Sequence, residues 1–86
     1  MDINVASAAV ETFVQDYAGP GGRKAVELRI HPSGDDMNAI KVWVNLGPDA
    51  ENDDLHAWCR ACEAAVREAL GGDLDGYHLE MRADAM

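Results

Sequence analysis

The stretch Ala25-Val26-Glu27-Leu28-Arg29-Ile30-His31-Pro32-Ser33-Gly34-Asp35-Asp36-Met37-Asn38-Ala39-Ile40-Lys41-Val42-Trp43-Val44-Asn45-Leu46 decides how this chain folds. Val26, Leu28 and Ile30 alternate with Glu27, Arg29 and His31, and Ile40, Val42, Val44 and Leu46 alternate with Lys41, Trp43 and Asn45. Side chains on a strand point to opposite faces in turn, so each run has one apolar and one polar face. Between them Pro32 to Asp36 is turn chemistry. The pattern predicts two antiparallel strands with one buried side.

Outward from this pair the period changes. Ile3, Ala6, Val10, Phe13, Val14 and Tyr17 recur at the spacing of one helical face, and Gly19-Pro20-Gly21-Gly22 stops the helix. After Gly47-Pro48, the acidic run Asp49-Ala50-Glu51-Asn52-Asp53-Asp54 leads into a second helix reaching about Leu70. Leu55, Cys59, Cys62, Val66, Ala69 and Leu70 share its apolar side, with Asn52 or Asp53 as cap. Ala57, Ala61 and Ala64 line its back. A last alternation puts Tyr77, Leu79 and Met81 opposite His78, Glu80 and Arg82. The expected fold is α+β, a two-layer sandwich in the order α-β-β-α-β over residues 1–86 as one small domain. Its three-stranded sheet is expected to be mainly antiparallel, with both helices on one face.

Composition narrows the function classes. The 86 residues include 16 acidic and 7 basic side chains, for a net charge of −9. Such a balance argues against a general nucleic-acid or anionic-lipid binder and for approach to a basic partner. No uncharged apolar run approaches the ~20 residues of a membrane span, and the start has no basic leader region. The expectation is a soluble, cytoplasmic protein (host cytoplasm if phage-encoded).

Several constellations carry chemistry in principle. Cys59 and Cys62 have redox spacing, but they lie inside a helix on its core side, where small buried thiols are expected. The run from Asp49 begins like a calcium loop, yet Asp54 and Arg60 occupy the places that need Gly and a bidentate acid. Serine and threonine supply no nucleophile elbow, so an enzyme is not expected, and no cofactor is implied. Half of the acids sit in three loops: Asp35 and Asp36, Asp49 to Asp54, and Asp73 with Asp75.

The polar sheet face is different. It carries Arg29, Lys41 and Arg82 against Glu27 and Glu80, with His31, His78 and an outward Trp43. Trp and Arg are enriched where partners dock. Trp43 either anchors a partner or lies against the stems of Arg29 and Arg82. If the third strand lies antiparallel beside the first, His31 and His78 meet and can share a metal ion, within one chain or across a two-fold axis.

Three readings follow. The first is a non-enzymatic inhibitor whose Asp35, Asp36, Asp49, Glu51, Asp53 and Asp54 stand in for phosphates on a basic, nucleic-acid-binding partner. Trp43, Arg29 and Arg82 would provide its anchor, as in anti-CRISPR or toxin-immunity proteins. The second is a homodimeric metal- or small-ligand-responsive regulatory domain. The third is an RNA-binding sheet built on Trp43, Arg29, Lys41 and Arg82.

Val26-Glu27-Leu28-Arg29-Ile30-His31-Pro32-Ser33-Gly34 looks like the first strand and turn of the cytoplasmic domain of cation diffusion facilitators. From Ala25 to Arg82 the chain resembles that domain in element order. The resemblance implies an α+β domain that dimerises around metal ions, and transfers no ligand motif. Ribosome-binding factor A has a similar order, but it is basic and kinks its second helix where this chain, from Asp54 to Leu70, carries no such interruption.

Overall fold

The computed structural model describes residues 2–33 and 38–86. Asp35 and Asp36 therefore lie outside the described residues. Helix α1 spans Ile3–Asp16, with the Asp2 carboxylate accepting from the Asn4 amide. Its apolar spacing puts Ala6, Val10 and Val14 wholly inside. A 3-10 turn over Pro20–Gly22 leads to strand β1, Glu27–Ser33, and strand β2 covers Ala39–Asn45. Helix α2 covers Asn52–Leu70, and a second 3-10 turn, Gly71–Leu74, precedes strand β3, His78–Asp84. Gly71 ends α2 with φ +40°, a conformation glycine adopts without steric cost.

The sheet order is β1-β2-β3, with β2 in the middle. β1 and β2 are antiparallel, as the alternation predicts, but β3 runs parallel to β2. The sheet is thus mixed rather than mainly antiparallel. A parallel pair needs a crossover of a dozen or more residues, and α2 supplies it. Both helices cover one face, α1 chiefly on β1 and α2 chiefly on β3. The rows Leu28–Val44–Ala83, Ile30–Val42–Met81 and Pro32–Ile40–Leu79 run across that covered side.

Several of the expected inward and outward positions move. Trp58 is 1% exposed and is the largest side chain in the core, whereas Ala69 is exposed and Cys59 and Leu70 are half-buried. The true inner stripe of α2 is Leu55, Trp58, Cys62, Val66 and Leu70, with Trp58 in it and the expected Cys59 and Ala69 outside. Val26 stands 73% exposed just before β1, its amide donating to the Asn45 carbonyl. Asn45, expected on the polar face in water, is buried, because its Oδ1 accepts from the amides of Gly47 and Met86. The cap of α2 is Glu51 rather than Asn52 or Asp53, in a capping box with Asp54.

Trp58 fixes the crossing of the two helices. Its ring meets Tyr17 edge-on at 5.4 Å, and Tyr17 stacks on Phe13 at 5.9 Å. The indole N–H donates to the Arg23 carbonyl at 2.8 Å, which also accepts from the Gly19 amide at 2.9 Å. One carbonyl with two lone pairs thereby ties the Pro20–Gly22 turn to the core.

Candidate functional site

The strand registers lay out the uncovered face in four rows. They are Glu27–Asn45–Asp84, Arg29–Trp43–Arg82, His31–Lys41–Glu80 and Ser33–Ala39–His78. Trp43 on the central strand is flanked by an arginine on each side, so the sequence pairing of Trp with Arg becomes a geometric one. The Arg29 guanidinium carbon sits 5.3 Å from the Trp43 ring centroid, within cation–π range. The Trp43 indole N–H donates to Asp84 Oδ2 at 2.6 Å, and Arg82 Nε lies 3.9 Å from the same oxygen. Glu27 in turn accepts from Arg29 at 3.1 Å. Asp84 was missed in the sequence; its even spacing from Glu80 and Arg82 places it on the polar side of the same strand.

This arrangement satisfies the packed reading of Trp43. The ring is half-buried, with Arg29 over it and its nitrogen tethered to Asp84.

Beside Trp43 the face is concave. A depression of about 440 Å³ is lined by His31, Lys41, Trp43, Glu80 and Arg82, with Val42 and Met81 also bordering it. Lys41 and His31 have no ion pair among the described residues, while His78 Nε2 lies 3.8 Å from Glu80 Oε1. His31 and His78 do not meet. β1 and β3 are opposite edges of the sheet, and Lys41 stands between His31 and Glu80. The antiparallel pairing that would have joined the two imidazoles is absent because β3 docks on β2.

The acidic loop is partly spoken for. Asp49, Glu51, Asp53 and Asp54 are all exposed, but the Glu51 amide donates to Asp54 Oδ2 at 3.0 Å, and Arg23 lies 3.8 Å from that oxygen. Asp53 and Asp54 occupy the first helical turn, where negative charge complements the dipole.

The Cys59 and Cys62 thiols are pushed the opposite way from a redox pair. Burial, then the Glu63 carboxylate, raises Cys59; burial, then Cys59, raises Cys62 to about 12. Thiols held protonated are poor nucleophiles. Among the described residues no group of three or more His, Cys, Asp or Glu side chains is placed to hold a metal ion. Nor is any helix among them long and apolar enough to cross a membrane.

Fold and site together define a two-layer αββαβ domain with one helix-covered sheet face and one open, mixed-charge face. No protein-family model and no curated protein matches the chain. Among solved structures, it is similar to a variant of the MamM CTD, a C-terminal domain, in its manganese form. That likeness has a TM-score of 0.61 and 21% identity, and covers 99% of this chain and 100% of the other. At that identity it is a likeness of fold.

Proposed function

We propose that this chain is a homodimeric regulatory domain that responds to a divalent metal ion held between two copies on the open side of the sheet. The observation that carries the reading is the fold likeness, end to end, to a domain solved in a manganese form. The chemistry of the open side supports it. His78 and Glu80, two apart on an edge strand, bring an imidazole and a carboxylate within 3.8 Å, a donor pair suited to manganese or zinc. Two protein donors are half of the four that zinc takes and a third of manganese's six. A two-fold axis beside β3 would supply the matching pair from the second copy.

The occlusion of a basic, nucleic-acid-binding partner by the acidic loop has less behind it. Asp54 serves its own helix start, and Trp43, the intended anchor, is held by Asp84 and Arg29. The sheet as an RNA platform meets the same obstacle at Trp43.

Calorimetry with Mn²⁺ and with Zn²⁺, beside sedimentation of the same samples, tests the dimeric reading. The expected result is one ion per two chains, a larger dimer fraction with metal, and loss of both in His78→Ala and Glu80→Gln. Absence of heat with both ions, or binding indifferent to both substitutions, would overturn it.

A further inference from the structure

The seam between α2 and β3 opens into a groove of about 220 Å³ at the β3 edge of the sheet, where Met81 and Arg82 border both it and the depression on the open face. His56 and Cys59 line it from α2, and Met81 lines it from β3, with Leu55 and Ala83 as apolar walls. Positions three apart on a helix are neighbours on its surface, so imidazole and thiol project together. Met81 follows Leu79 on the inward register of β3 and is half-buried, packed against the core beside the helix. An imidazole, a thiol and a thioether around one small apolar space are a soft donor set. Thiolate and thioether ligands select Cu(I) over hard divalent ions.

We propose that His56, Cys59 and Met81 form a binding site for a soft monovalent metal ion of the Cu(I) class. The ion replaces the Cys59 thiol proton, so one proton leaves for each ion bound and no electron is transferred. The Sγ–H bond breaks and a metal–thiolate bond forms. Leu55 and Ala83 suit such an ion, since a singly charged, weakly hydrated cation loses little on entering apolar surroundings. Arg82 also borders the groove, but its side chain is 80% exposed and lies beside the Asp84 carboxylate. The site shares no residue with the His78–Glu80 pair and stands whether or not the dimeric reading does.

The test is anaerobic titration of the whole chain with Cu(I) against a chromophoric Cu(I) chelator. One tight equivalent per chain is expected. Cys59→Ser should weaken it by about a hundredfold or more, the upper end of what even outer-shell changes cost a metal site. His56→Ala and Met81→Leu should each weaken it by about tenfold or more, and His78→Ala should leave it unchanged. His56 is exposed, and Met→Leu conserves volume, so both variants keep the fold, which circular dichroism checks. X-ray absorption should count two sulfurs around the ion in the wild type and one in Met81→Leu. No tight equivalent, or binding that persists in Cys59→Ser, would overturn the site. So would affinity indifferent to both His56→Ala and Met81→Leu, which marks a simple thiol adduct.

Discussion

Gly19 and Trp58 touch. A Cβ at position 19 would stand 2.5 Å from Trp58 Cδ1 and 2.6 Å from Nε1, distances that real Cβ atoms do not tolerate. The indole has nowhere to retreat, being 1% exposed, bonded to the Arg23 carbonyl and set edge-on against Tyr17. Gly19→Ala is therefore an overpacking change, expected to cost about 1–3 kcal/mol. In a domain of this size each kcal/mol lowers Tm by about 4–8 °C. Thermal melts of the variant beside Ala18→Gly, an exposed control, check this; equal melting temperatures would refute the contact. The importance of Trp58 was not legible in the sequence. The helical wheel drawn through Cys59 and Cys62 is as apolar as the true stripe, and only the packing of Tyr17 and the Arg23 carbonyl turns the helix to the other choice.

At the scale of elements, α2 depends on how its first turn is closed. Asp54 accepts from the Glu51 amide, places negative charge at the positive end of the helix and faces Arg23 at 3.8 Å. Asp54→Ala removes all three effects and should cost about 1 kcal/mol, in the range of other cap losses. Asp54→Asn keeps an acceptor and should cost about half as much. Urea unfolding of the two variants distinguishes the contributions, and midpoints equal to that of the wild type in both would show that the charge and the hydrogen bond are idle. Element boundaries were readable because local chemistry sets them: alternation through Leu28, Ile30, Ile40, Val42 and Val44, and glycine at the exit of α2. The direction of β3 was not, since alternation says which side faces the core and is silent about the neighbouring strand. The long helix between β2 and β3 was the available clue, because such a link is what a parallel pair requires.

Taken as a whole, the molecule holds its two helices together around a small cluster of groups that ionise only in alkali. Burial, then Cys62, raises the Tyr17 hydroxyl, and burial pushes Cys62 to about 12. In the folded chain these groups keep their protons to higher pH than in the unfolded chain, where the thiols are half-ionised near 9.0. Between those limits the folded state binds more protons, so stability falls as pH rises. Their contribution is complete below about pH 9 and is lost progressively toward pH 12. Stability measured by denaturant between pH 7 and 11 should be flat in this respect at first and then decline, with a shallower decline in Cys62→Ala. A decline of the same steepness in that variant would assign the alkaline loss elsewhere. The layout of the open side was partly legible: Arg29, Trp43 and Arg82 lie on one face as the alternation predicts, whereas their common row follows from the strand registers. The separation of His31 from His78 was not legible, because it follows from which edge β3 takes.

The two tryptophans of the chain stand on opposite sides of the sheet, one sealed beneath the helices and one held by Asp84 on the uncovered side. Their light emission therefore divides the molecule optically. Trp58 senses whether the helices remain packed, and Trp43 senses what settles beside Arg29 and Lys41. A chain with either ring replaced by phenylalanine becomes a single-colour reporter, of folding in one case and of occupancy in the other.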